Sequence, residues 1–201
     1  MMNKGEKTKK HIIEQTAILM NQHGFVSTPL SEIVKASGVQ KGGIYNHFKD
    51  KEELSLLAFD HCFRTLQQYL YEAVSVESSS IERLKSFIHA YFTLAQNPAI
   101  PGGCPIMNTS TEADDGQSPK LLERAQTAMQ TLIIFLSNEI TAGIDNKELN
   151  PDIDPNKTAA LIMATIEGGI LLDRLFIDNA QIETVKNLLL AYVTKELLIR
   201  S

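Results

Sequence analysis

Eleven consecutive residues, "KGGIYNHFKDK" at 41–51, crowd groups able to grip an anion into a short space. Lys41, Lys49 and Lys51 supply ammonium charges, Tyr45 a hydroxyl, and Asn46 and His47 groups that donate and accept. That set suits duplex DNA, where lysine, hydroxyl and amide groups hold phosphates and Asn or His can also reach base edges. Gly42 and Gly43 sit where a helix should begin, although each Gly in a helix interior costs about 1 kcal/mol relative to Ala. Without a Cβ the backbone can come close to another surface. The positive end of the helix and its free N–H groups would then face phosphates. The same residues would also serve as a loop and an ordinary amphipathic turn, so the flanking elements have to decide.

Those elements are three short helices. Residues 7–23 place Ile13, Ala17 and Met20 at i, i+4 and i+7, with Gly24 at the expected stop. Thr28-Pro29 predicts a capped start for a second helix over 29–36, with Ile33 and Val34 inward and Gly38 closing it. A third helix over 40–47 follows a turn of a few residues, anchored by Ile44 and Phe48 at i, i+4. Two short helices joined by a tight Gly turn after a first helix describe a helix-turn-helix unit, whose second helix enters the major groove by its N-terminal end.

Charge supports this reading. Residues 1–51 hold eight lysines against Glu6, Glu14, Glu32 and Asp50, a balance of +4 in a chain whose formal net charge is −5. The remainder is therefore strongly acidic, as expected if one end meets an anion and the rest stays soluble. Cys62 and Cys104 are far apart without a CxxC pattern, which argues against a disulfide scaffold or zinc site and for a reducing compartment. The basic N-terminus lacks a signal-peptide core, and the most apolar stretch, 159–177, is interrupted by Glu167, Asp173 and Arg174. The expectation is a soluble, cytoplasmic protein with no membrane partner.

The rest of the chain also reads as helix. Asp50 and Glu53 form a capping box for a helix over about 51–75. Further helices are expected over 81–96, ending at Asn97-Pro98, over 118–142 after Ser118-Pro119, over 155–177 after Asp154-Pro155, and over 181–199. Residues 97–119 hold four of the seven prolines and three glycines, an irregular middle with room for one short helix at 106–113. The class is all-α, about nine helices, with a helix-turn-helix domain at 1–51 and a helical body at 52–201.

"GFVSTPLSEIVKASGVQKGGIYNHFKDKEEL" within residues 8–59 resembles the N-terminal domain of the TetR (tetracycline-repressor-like) family of bacterial transcription regulators. Pro29-Leu30 and Gln40 depart from its pattern, Gln40 standing where a Ser or Thr cap is usual. The resemblance implies a homodimeric repressor released by a small-molecule effector. It also implies DNA-contact positions at Thr28, Lys41, Gly42, Tyr45, His47 and Lys51; the residues themselves add Gly43 and Asn46.

The body should supply a dimer and a signal. The helix at 155–177 is apolar almost all round, and the last helix has its own apolar band. Their pairing across a twofold axis into a four-helix bundle would use Ile166, Gly169, Ile170, Leu189 and Tyr192. "GGCPIMNTSTEADD" resembles a motif of one TetR branch that lies near the effector pocket. That resemblance places Cys104, Asn108 and Glu112 there, with His89, Phe92, Met107, Met129 and Glu167 as candidate lining for a hydrophobic or aromatic effector. Met and Phe are equally at home in a core. Helix 51–75 would act as the lever between body and DNA domain.

Other readings have less support. Cys104 at a helix start has the setting of an activated thiolate, hence of an electrophile or oxidant sensor, yet a lone Cys is commonly a small buried residue. Cys104, His89 and an acidic residue are raw material for a hydrolytic triad. No nucleophile elbow, phosphate loop or metal-spaced cluster accompanies them, so no enzyme, cofactor or metal is expected. An architectural DNA-binding protein without effector would not need so large a body.

Overall fold

The computed structural model describes residues 3–96, 101–113, 116, 118–176 and 180–199. Among them nine helices run in order: α1 (Lys4–His23), α2 (Leu30–Ser37), α3 (Lys41–Tyr45), α4 (Lys51–Ser75), α5 (Ser80–Gln96), α6 (Pro105–Ala113), α7 (Pro119–Asp145), α8 (Pro155–Phe176) and α9 (Ala180–Glu196). The class is all-α; the β pairing present among the described residues is an isolated Leu149–Leu198 bridge. The chain divides into two compact units, Met1–Gln67 with Pro98–Ala128, and Gln68–Asn97 with Met129–Ser201. The first takes in α6 and the start of α7, which the sequence division at 51/52 does not group with the N-terminal helices.

In the first unit α1 starts earlier than expected. Asn3 and Glu6 form a reciprocal capping box, each side chain accepting from the other's N–H at 2.8 Å. Its buried face is Ile12, Thr16, Ala17, Met20 and Asn21, while Ile13 is only half-buried, so the apolar stripe begins one residue before the expected one. α2 ends on Gly38 in the left-handed region, as its sequence predicts. Its start differs: Pro29 holds the N-cap position and no side chain caps the helix. The Thr28 hydroxyl instead donates back to the Gly24 carbonyl at 2.6 Å, serving the turn before the helix. α3 is a single short helix pinned by buried Ile44 and Phe48. Before α4, Asp50 Oδ1 accepts from Glu53 N (2.8 Å) and Glu53 Oε2 accepts from Lys49 N (2.6 Å), so the capping box closes one residue further back than expected.

In the second unit α5, α8 and α9 pack together. Phe87 stacks on Phe135 and lies against Tyr91, with centroids 5.7 and 5.8 Å apart. Asp154 caps α8 through Asn156 N and Lys157 N (3.1 Å each), as its Asp-Pro start implies. The Asn97-Pro98 stop lies outside the described residues. The residues expected at a dimer face need correction. Ile166, Ile170 and Leu189 are buried inside this unit, Tyr192 is half-buried, and Gly169 is packed against Phe92 and Val185. A helix apolar all round gives no phase, and the inward face proves to be 162, 163, 166, 169 and 170. The outward apolar residues are Leu161, Ala164, Gly168, Leu171 and Leu175.

A Cβ on Gly169 would lie 2.9 Å from a Phe92 ring carbon and 3.0 Å from Val185. Overpacking of about 1–3 kcal/mol should outweigh the helix-propensity gain of about 1 kcal/mol. Gly169→Ala is therefore expected to lower the urea midpoint without changing the slope; an unchanged or higher midpoint would contradict this packing.

Candidate nucleic-acid interface

The sequence-predicted DNA residues divide by environment. Lys41, Gly42, Tyr45 and Asn46 are exposed on and just after α3. Lys41 Nζ lies 5.9 Å from the centre of the Tyr45 ring, which lays the cation along the same face. Gln40 leads into α3 in extended backbone and makes no capping bond, so the first turn meets no side chain of its own. A Cβ on Gly42 would touch nothing within 4 Å. No packing demand inside the protein explains a glycine there, whereas close approach of an outside surface would. Gly43 is different: its Cβ would fall 2.8 Å from Val39 Cγ1. Its glycine serves the α2–α3 turn itself, which corrects the reading of both glycines as one groove-facing pair.

His47 is half-buried with its ring tilted against Phe48, and Lys9 of α1 places Nζ 5.4 Å over that Phe48 ring. Thr28 is 1% exposed with its hydroxyl turned to Gly24. It supports the α1–α2 turn and does not offer itself to a phosphate. Lys51 is half-buried and spends one of its three donors on the Val26 carbonyl at 2.6 Å. Burial lowers its pKa from the ordinary lysine value, opposed by the charge of Glu112.

Glu112, which the family resemblance pointed at an effector, reaches the same turn. From α6 its carboxylate accepts from Ser27 N (2.7 Å) and Val26 N (3.0 Å) in the α1–α2 turn. Burial pushes its carboxyl upward, but the hydrogen bonds from Val26, Ser27 and Phe25 outweigh that and hold it below the usual carboxylate range. A Cβ on Gly24 (φ 108°) would collide with this carboxylate. One turn earlier on α6, Asn108 Nδ2 donates to Asn21 O (2.9 Å), Asn21 Oδ1 (3.1 Å) and Gly102 O (2.9 Å). Asn21, buried in α1, donates in turn to Pro101 O and Gly103 O. One signal was available: a polar Asn21 on the buried stripe, four residues after Ala17.

The effector candidates divide between the two units. Cys104, Met107 and Asn108 belong to the first unit, and Phe92, Met129 and Glu167 to the second. Asn108 is engaged in structure as above. Cys104 precedes α6, its Sγ accepts from Met107 N at 3.5 Å, and it is 3% exposed, a capping position. Burial pushes the other thiol, Cys62, up to about 12. His89 is exposed and lines no interior, a correction to its expected role. Phe92 is buried, and Tyr91 donates its hydroxyl to Glu167 Oε1 at 2.8 Å.

Because the folded Glu112 carboxyl sits below its unfolded pKa, its contribution is complete above the unfolded value of about 4.3. It is lost as pH falls through the folded value. Wild type should exceed Glu112→Gln in stability at pH 6, by roughly 1 kcal/mol for a charged hydrogen bond that is half-exposed. The gap should narrow with acidification; a constant gap in denaturant titrations would contradict the pKa depression.

Comparison with known proteins agrees along the whole chain. Residues 12–57 match the model described as bacterial regulatory proteins, tetR family, and residues 80–189 match the tetracyclin repressor-like C-terminal domain. The crystal structure of a TetR transcriptional regulator from Chloroflexus aurantiacus superposes with a TM-score of 0.94 at 32% identity, covering 99% of this chain and 100% of that one. The uncharacterized HTH-type transcriptional regulator YxaF of Bacillus subtilis is 25% identical over 173 residues, 86% of this chain and 87% of its own length. The HTH-type transcriptional repressor NemR of Escherichia coli is 26% identical over 192 residues, 90% and 94% of the two chains. With its DNA-reading helices and its helical body both matched, the chain belongs to the TetR family and is a transcriptional regulator.

Proposed function

We propose that this regulator is a cytoplasmic repressor that binds an inverted-repeat operator as a homodimer and leaves it when a small hydrophobic or aromatic effector binds. The observation that carries the DNA contact is the open start of α3: Gly42 with free space above it, flanked by exposed Lys41 and Tyr45. His47, Asn46 and the remaining donors of Lys51 complete the contact set. Two relatives bear the name repressor. Among the described residues no helix is long and apolar enough to cross a membrane.

Dimerisation is assigned to the outward face of α8. Leu161, Ala164, Gly168, Leu171 and Leu175 recur at the spacing of a coiled-coil seam, and the two small residues allow close helix approach. Leu171 is 49% exposed and Leu188 of α9 67%, apolar surface of the kind that marks a partner site. A twofold protein reads a twofold site. The effector is assigned to the second unit, at Phe92, Met129 and the Glu167 carboxylate that Tyr91 orients.

Operator affinity should fall steeply with salt, and Lys41→Ala should weaken all duplexes evenly while reducing the salt slope by about 1. Gly42→Leu should lose operator binding with its melting temperature unchanged or raised; retained affinity would remove the groove-insertion reading. Leu171→Glu should sediment as a monomer at micromolar concentration and bind the operator weakly. A monomeric wild type would defeat the dimer.

A further inference from the structure

We infer that Glu112 is a positioning residue for DNA binding: its carboxylate clamps the α1–α2 turn, and operator affinity depends on that clamp being closed. The inference rests on α3 being the DNA-contacting element.

The clamp is built around one residue. Val26 N donates to Glu112 Oε2 and Val26 O accepts from Lys51 Nζ, so side chains from α6 and α4 hold both polar groups of a residue that has no polar side chain. The second carboxylate oxygen takes Ser27 N, and Thr28 closes the turn onto Gly24. This turn is the covalent approach to α2, and α2 packs on α3. A turn fixed at three successive residues therefore fixes where α2 begins and, through it, where Gly42 and Tyr45 stand.

The grip is shaped for the carboxylate. Gly24 leaves the space that the Glu112 side chain occupies. Asn108 lies four residues earlier, on the same face of α6, and holds the last turn of α1 with two protons shared among three acceptors. Both anchors end on α1 or the turn after it, so α6 bears on the N-terminal helices through polar groups at two points. Such contacts are directional and tied to geometry, so the polar grip on the turn is lost by a small displacement, while Ile106 and Ala113 keep α6 seated by packing.

The test uses a duplex selected by the wild-type protein from a random-sequence library. Glu112→Gln should bind it at least tenfold more weakly, with the slope of affinity against salt unchanged because no phosphate contact is lost. Amide exchange at Val26 and Ser27 should speed up in that variant while amides in the middle of α4 keep their protection. Leu84→Val, a core change in the second unit, controls for general destabilisation and should keep affinity within twofold. Glu112→Ala, should Gln retain one bond, must weaken binding at least as far. If both Glu112 variants expose the two amides yet bind like wild type, the clamp is a staple of the fold and the inference fails alone. A wild type that selects no duplex would overturn the DNA reading and the inference with it.

Discussion

The backbone of Val26 is held from two sides, by a carboxylate on its N–H and an ammonium on its carbonyl. A chain leaving a helix through a turn needs partners for its backbone groups, and buried ones without partners are costly. Here the partners come from residues 25 and 86 positions away in sequence. The arrangement explains otherwise separate features: why position 24 carries no side chain, why Lys51 is half-buried, and why α6 groups with the N-terminal helices. The opposite charges also support each other across the turn, since Glu112 partly offsets the cost of burying Lys51.

The DNA-reading helix is the least self-sufficient element of that unit. α3 spans Lys41–Tyr45, lacks a side-chain cap and contains two glycines. Helices this short are not stable by propensity. Ile44 and Phe48, nearly fully buried, hold it in place, with Lys9 covering the Phe48 ring from α1. Its stability is supplied by packing beneath, which leaves the upper surface free for residues chosen for contact. Gly42 and Gly43 divide along that line, one facing open space and the other filled by Val39.

Much of this was legible in the sequence, because helix boundaries are written in local chemistry. Gly24, Gly38, Asp50 and Asp154-Pro155 marked ends and starts that the structure reproduces within a few residues. Phase was harder. Ile12 rather than Ile13, Gly168 rather than Gly169, and Leu188 rather than Leu189 show one-residue errors, each turning a helix by about 100°. In α8 both sides are apolar, so hydrophobicity alone could not say which met the core; the seven-residue recurrence of Leu161, Gly168 and Leu175 was the available clue. The bonds of Glu112 to Val26 and of Asn108 to Asn21 were not legible, since they join residues more than eighty positions apart. Family resemblance pointed those two residues at a ligand; the bonds described here tie them to α1 and the turn after it.

The collision between a side chain at position 24 and the Glu112 carboxylate also constrains how this sequence can change. Position 24 is closed to all residues but glycine, because the chain turns there at φ 108° and a side chain would also meet Ser27 Oγ and the Glu112 carboxylate. Shortening residue 112 would remove one obstacle, leave the other two and release the amides of Val26 and Ser27. Change at position 112 therefore opens no path to a side chain at position 24, and each site meets its own barrier.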